Sequence, residues 1–354
     1  MNIEDLRKKI AGADEKILSL INERYRVSHE LAELREKGEK YLPEDEKAAL
    51  AKLLSINEGP ALKNTVSAVF REIFSGSSAI ERQLKVAFLG PEATFSHLAA
   101  LAKFGRSVHF EPKSNISDVF RDVETFHVDF GCVPVENSTE GAVNHTLDMF
   151  LDSSVFIRDE INLRIHHNLM AKCPFKEIKR VYSHVQVLGQ CRNWLLANLP
   201  HADIIEASSS TKAAEIALSE KGSAAIASTL AAELYKLDIL SENIEDNPHN
   251  TTRFMILGRE EPQPTGSDKT SICFAIKDRV GALYDCLLPF KDEELTLTMI
   301  ESRPSKRRKW EYFFFMDILG HHSDEKVKRA MGKLENMAQS LRILGSYPRS
   351  THEQ

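Results

Sequence analysis

Four short polar clusters follow apolar, strand-like runs, and their residue types suit the capture of a small, oxygen-rich anion. They are Gly90-Pro91-Glu92-Ala93-Thr94-Phe95-Ser96, Glu136-Asn137-Ser138, Ser183-His184-Val185-Gln186 and Asn250-Thr251-Thr252-Arg253-Phe254. One such cluster is an ordinary turn. Four of them describe a crevice, because α/β sheets bind ligands at the carboxyl ends of their strands. Alone, Thr94 and Ser96 read as helix caps, yet a helix start also offers backbone amides to a carboxylate. His184 stands open between a general acid and a structural hydrogen-bonder, whereas His145, His166 and His167 take the structural reading.

Periodicity supplies the elements that must hold these clusters. From Ile3 to Glu36, apolar residues recur at helical spacing (Leu6, Ile10, Ile17, Leu20, Leu31, Leu34), and Gly38 reads as the C-terminal cap. A helix of about 34 residues spans on the order of 50 Å. Helices over about 44–56 and 61–80 follow, broken by Glu58-Gly59-Pro60. Three helices, one this long, leave an apolar stripe uncovered, and a second copy of the chain is the expected cover. From 84 to about 260, strands at 86–89, 130–135, 180–182, 202–205 and 224–227 alternate with helices. That alternation predicts a mainly parallel sheet in two lobes with a cleft. Beyond the Pro262–Asp268 linker comes a β-α-β-β-α-β pattern. Its strands fall at about 270–276, 295–302, 310–318 and 341–346, and its helices at 280–290 and 323–338, the ferredoxin-like arrangement.

Bulk properties exclude several classes. The net charge of -6 over 354 residues lacks the basic footprint of a nucleic-acid binder. Lys306-Arg307-Arg308-Lys309 reads as a solvated turn. Neither a membrane span nor a signal peptide is visible, so a cytoplasmic protein is expected. The 5 cysteines show no CxxC spacing and read as buried, reduced hydrophobes.

The middle segment resembles the prephenate dehydratase family. The resemblance rests on the first three clusters with Val133-Pro134-Val135, Gln190-Cys191, Ser210-Thr211, Ala213-Ala214 and Thr252-Arg253-Phe254. The C-terminal segment is similar to an ACT domain through Gly281-Ala282-Leu283, Glu301-Ser302-Arg303-Pro304 and Leu344-Gly345-Ser346-Tyr347-Pro348. The N-terminal helices are similar to chorismate mutase through Leu6-Arg7, Asp14-Glu15-Lys16-Ile17-Leu18, Glu23-Arg24 and Phe70-Arg71-Glu72-Ile73. Together these imply a three-part fold. An all-α mutase domain (1–82) precedes a two-lobed α/β dehydratase of periplasmic-binding-protein-like type 2 architecture (84–261), and a ferredoxin-like α+β regulatory domain (269–350) follows.

The resemblance also implies roles. Prephenate would lose hydroxide and a carboxylate with Thr252 as donor and Arg253 beside it. Thr94, Ser96, Glu136, Asn137, Ser138, Ser183, His184, Gln186, Thr211, Asn250 and Phe254 would line its pocket. No metal or redox cofactor is called for. In the mutase, Arg7, Arg24, Arg35, Glu46, Ser77 and Glu81 would hold the chorismate dianion, with Arg35 and Glu46 catalytic. Arg24 and Arg35 share a helix face about 16 Å apart, but Arg7 lies about 25 Å from Arg24 and would come from the partner of a homodimer or higher oligomer. L-Phenylalanine would bind near Gly281, Ala282, Leu283, Glu301, Ser302, Arg303 and Pro304 as a feedback effector. The chain departs from the family at Arg35 (commonly lysine), Leu42 (often polar), Asp45 (arginine) and Glu81 (glutamine), and at Glu294 and Thr296 (glycine and asparagine). Three readings stay open here: a bifunctional enzyme, a dehydratase with a dimerising helical domain, and a non-catalytic anion sensor.

Overall fold

A computed structural model describes residues 2–34, 43–81, 83–277, 279–304 and 312–350. Gly38 and the 306–309 basic run lie outside these residues. The chain divides into two compact units, 1–85 with 101–110 and 86–100 with 111–354.

The smaller unit holds α1 (Ile3–Leu34), α2 (Pro43–Ser55) and α3 (Lys63–Glu81). A methyl group at Gly76 would overlap the Tyr25 ring, so α1 and α3 approach closely there. No residue of α1 is buried, and Leu6, Ile10, Ile17, Leu18, Leu20 and Leu31 stand exposed along it.

After the three helices come β1 (Lys85–Leu89), α4 (Phe95–Phe104), β2 (His109–Lys113), α5 (Ile116–Glu124), β3 (Phe130–Asn137), β4 (Gly141–Ala142), α6 (Asn144–Phe150) and β5 (Phe156–Arg164), of which Lys85 and residues 101–110 fall to the smaller unit. A second α/β layer contains β6 (Asn168–Ala171), β7 (Arg180–Ser183), α7 (Val185–Gln190), α8 (Arg192–Asn198), β8 (Asp203–Glu206), α9 (Ser210–Ser219), β9 (Ser223–Ala227), α10 (Thr229–Tyr235) and β10 (Asp238–Ser241). β11 (Thr251–Gly258) then returns to the first sheet, whose order is β2-β1-β3-β11-β5 with β4 on β3. The second sheet runs β10-β6-β9-β7-β8.

These sheets are mixed, not mainly parallel as the alternation suggested. β1 runs parallel to β3, and β7 to both β8 and β9. β11 is antiparallel to β3 and β5, β6 to β9, and β10 to β6. The chain crosses between layers just after β5 and just before β11, and strands that carry it across and back run against their neighbours. β5 gave no apolar signal because it reads Phe-Ile-Arg-Asp-Glu-Ile-Asn-Leu-Arg, with Arg158, Asp159 and Glu160 buried.

The last segment folds as β12 (Asp268–Ala275), α11 (Ala282–Asp292), β13 (Leu297–Pro304), β14 (Tyr312–Leu319), α12 (Glu325–Met337) and β15 (Ser340–Pro348). Its antiparallel sheet has the order β13-β14-β12-β15, which is ferredoxin-like. Strand alternation gives this sheet two buried faces. Ile272, Phe274, Met316 and Ile318 pack under α11 and α12 with Phe290 and Leu334. Cys273, Phe315, Leu344 and Tyr347 instead share a core with Val133, Met255 and Leu257 of the first sheet. Among the described residues, no helix is long and apolar enough to cross a membrane.

Candidate active site

β11 and β3 bring two of the sequence clusters side by side, with Thr252 in register opposite Asn137. The Asn137 carbonyl oxygen accepts the backbone N–H groups of Thr139 (2.9 Å) and Glu140 (3.0 Å). That fixes the orientation of the amide. Its nitrogen therefore points at Thr252 Oγ1 (2.8 Å) and Asn250 Oδ1 (2.8 Å), donating to both. Because Thr252 Oγ1 receives this donation, its own proton remains to be given elsewhere. The residue is 9% exposed.

The network continues outward. Asn250 Nδ2 donates to Gln190 Oε1 (3.3 Å), and His167 Nε2 meets the same oxygen at 2.8 Å. An acceptor at Nε2's partner makes that nitrogen the donor. Burial holds the imidazole below its ordinary value, so His167 is neutral near pH 7. Glu245, in the return crossing, accepts from His166 Nδ1 (2.7 Å) and from the His167 backbone N–H (2.9 Å), tying the two crossings together. A cavity of about 370 Å³ opens beside this network, lined by Thr139, Glu140, Gln186, Gln190, Glu245 and Asn250 among others.

The remaining expected residues divide by position. Ser138 clamps β3 to β11: its hydroxyl accepts from Thr251 N (3.0 Å), and its N–H donates to Thr251 O (2.9 Å). Thr94 caps α4, donating to Leu89 O or Pro91 O while accepting from His97 N (3.4 Å). Ser96 is buried in the first turn of that helix. Thr211 Oγ1 donates to Glu92 O (2.9 Å), and Ser228 Oγ to Ala93 O (2.8 Å), so the second layer grips the loop after β1. Ser183 donates to Ile226 O (2.6 Å). His184 sits at the N-terminus of α7, half-buried, without capping through its side chain. Phe254, 2% exposed, packs the strand interior.

Arg253 takes a different place from the one its sequence position suggests. Side chains alternate along a strand, so it lies on the face of β11 opposite Thr252. There Nε reaches Glu160 (2.8 Å), Nη1 reaches Asp317 (2.6 Å) and Nη2 donates to Tyr347 Oη (2.9 Å). Glu136, in register with it, stays 3.8 Å from Nη1. Sequence reasoning passed over Gln190 as a site residue, together with His167, Glu160, Asp317 and Tyr347. The Gln190-Cys191 pair and the Ser346-Tyr347-Pro348 run were the signals available.

In the helical unit, Arg24 Nη1 donates to Ser77 Oγ, and its guanidinium stacks 4.9 Å from the Phe74 ring centre. Ser78 Oγ donates to Glu46 Oε1 at 3.4 Å. Two expected residues, Arg24 and Ser77, thus meet on α3, and the expected Glu46 bonds the next residue along, Ser78. Arg7 is exposed on α1. Arg35 and the Glu81 side chain lie outside the described residues.

In the C-terminal sheet, Gly281 adopts φ 78° at the start of α11, a left-handed conformation that favours glycine. Gly281, Ala282 and Leu283 line a cavity of about 280 Å³ with Lys277, Arg279 and Tyr312. Glu301, Ser302, Arg303 and Pro304 lie on the edge strand β13 and are not among its lining residues. Arg303 instead makes a bidentate pair with Asp148 of α6, at 3.0 and 3.2 Å. Glu111, Asp122 and His127 form the only candidate metal cluster among the described residues, and the Lys113 ammonium already sits 2.7 Å from both carboxylates.

Comparison with known proteins identifies the family. The prephenate dehydratase family matches residues 86–262, and chorismate mutase type II matches residues 6–82. A bifunctional chorismate mutase/prephenate dehydratase of Stutzerimonas stutzeri is 46% identical, over 98% of each chain. That of Aquifex aeolicus is 45% identical, also over 98% of each. The solved prephenate dehydratase of Arthrobacter aurescens in complex with L-Phe superposes with a TM-score of 0.70 at 34% identity, covering 75% of this chain and 90% of that one. With mutase and dehydratase regions in one chain and full-length relatives of the same composition, this protein belongs to the bifunctional chorismate mutase/prephenate dehydratases of phenylalanine biosynthesis.

Proposed function

We propose that the Thr252 hydroxyl is the hydrogen-bond donor to the departing hydroxyl of prephenate. In the reaction, the bond from the ring to its carboxylate breaks and its electron pair enters the ring. The C–O bond on the opposite side breaks with its electrons, and the oxygen leaves as water after taking a proton. Carbon dioxide and phenylpyruvate are the other products. A threonine hydroxyl is a weak acid, so its contribution is placement: a donor held in a cleft and aimed at the oxygen where charge develops. The Asn137 amide, oriented by two backbone N–H groups, is the observation that carries this reading. Thr252→Val keeps the side-chain shape and removes the donor. It should lower kcat for phenylpyruvate formation by about 10²–10⁴ with little change in KM. Thr252→Ser should retain a measurable fraction of the native rate. Native turnover by the valine variant, followed as phenylpyruvate absorbance, would refute the assignment.

The same reading extends to the other two regions. Chorismate rearranges within one molecule, so the mutase needs cations that hold a compact dianion and a donor at the ether oxygen. The pairing of Arg24 with Ser77 and of Glu46 with the adjacent Ser78 supports that location. The exposed apolar stripe of α1 supports pairing with a second copy, whose Arg7 would complete the cation set. L-Phenylalanine as feedback effector is placed at the α11 cavity. The N-terminus of α11 after Gly281 suits its carboxylate, and the Ala282, Leu283 and Phe314 surfaces suit its ring.

A further inference from the structure

We propose that Arg253 is a positioning residue of the dehydratase reaction, acting through Thr252 by means of a closed ring of three hydrogen bonds and one ion pair with Tyr347, Ser271 and Asp317. The proposal rests on the active-site reading of Thr252. The direction of every bond in the ring is determined. Arg253 Nη2 donates to Tyr347 Oη (2.9 Å). Asp317, a carboxylate with 0% exposure, only accepts, so Ser271 Oγ donates to it at 2.5 Å. Ser271 must then accept from Tyr347 Oη at 2.6 Å. Asp317 closes the circuit by its 2.6 Å pair with Arg253 Nη1. Beside the ring, Glu160 of β5 takes Arg253 Nε at 2.8 Å, Lys269 Nζ at 2.7 Å and the Ser350 backbone N–H at 3.0 Å. Two buried cations thus face two buried carboxylates. Separating any one of them would strand a charge away from water.

This arrangement lies beside an irregularity in one of the two ladders of β11, whose pairing with β5 runs unbroken from Thr251 to Ile256. The β3–β11 register shifts between Arg253 and Phe254, so on the side that carries Asn137 the backbone pairing is interrupted one residue beyond Thr252. Lys269, Ser271 and Asp317 alternate with Ile272, Met316 and Ile318 of the helix-covered core, which puts the ring partners on the sheet face that meets β11 and β5. The C-terminal sheet therefore holds β11 by a rigid polar clasp at the residue after Thr252. A displacement of that sheet drags β11 with it, because leaving Arg253 behind would part it from Asp317 and Tyr347 and part Lys269 from Glu160.

Tyr347→Phe tests the clasp in the full-length enzyme, since it deletes one hydroxyl from the ring and keeps the buried aromatic volume. kcat for prephenate should fall about tenfold, with KM and the rate of chorismate consumption unchanged. Introduced into Thr252→Ala, the same change should lower the residual rate by less than about twofold, because the hydroxyl it positions is already gone. Ser271→Ala should behave alike and serves as the second variant should the phenylalanine one fold poorly. Native kcat in both ring variants, or a tenfold loss that multiplies fully onto Thr252→Ala, would overturn the proposal while leaving the role of Thr252 standing. Native turnover by Thr252→Ala would instead sink the active-site reading itself.

Discussion

At Asn137 the two ends of one amide have different work. The oxygen is occupied by two backbone N–H groups, and the nitrogen thereby faces Thr252 and Asn250. Neighbouring His167 is held neutral chiefly by burial, against the pull of its bond to Gln190 and the Glu245 charge. Its folded-state value lies below the ordinary 6.5, so on acidification the unfolded chain binds a proton that the folded chain refuses. Stability present above about pH 6.5 is therefore lost as pH falls toward the depressed value. His167→Gln removes this titration and should flatten the dependence of the denaturation midpoint on pH over roughly pH 7 to 5. An unchanged slope would show that His167 is not held neutral. Thr252 and Asn137 were legible in the sequence because they stand in the Glu136-Asn137-Ser138 and Thr252-Arg253-Phe254 clusters. The facing of Arg253 was not, since adjacent residues on a strand point to opposite sides and the sequence does not say which side of the sheet each one takes.

At the scale of elements, β15 decides how the C-terminal sheet meets the first one. A Cβ at Gly345 would fall 2.9 Å from Ile157 N and closer still to its carbonyl oxygen, so β15 approaches β5 backbone to backbone. The neighbours of Gly345 then do the docking. Leu344 enters the shared core, Ser346 bonds Thr270 and the His322 N–H, and Tyr347 joins the ring around Arg253. Gly345→Ala should destabilise the larger unit by about 1–3 kcal/mol and lower dehydratase turnover with it, as read by denaturant midpoints alongside kcat. An alanine variant of native stability would mean that the two strands do not lie this close. Of the two strands that carry this contact, β5 was the harder to read. β5 holds the charged run Arg158-Asp159-Glu160 in its interior, because partners from distant strands neutralise Glu160, and no local pattern announces such partners. The ferredoxin-like segment, by contrast, was legible nearly strand for strand. Its periodicities of 2 and 3.6 are clean, and its breaks fall at Gly and Pro.

Across the whole molecule, two chemistries share one chain. The proposed mutase site calls for cations around a dianion and the proposed dehydratase site for an aimed proton, and the residues proposed for each lie in separate compact units. That separation makes one assay report on both. Asn137→Asp preserves the side-chain shape and the acceptor for the Thr139 and Glu140 N–H groups, but it replaces the donor facing Thr252 with a second acceptor, which turns the threonine proton inward. With chorismate supplied to the full-length variant, its consumption should proceed at the native rate. Prephenate should accumulate and phenylpyruvate formation should fall by about 10²–10³. Phenylpyruvate appearing at the native rate from the aspartate variant would contradict the account.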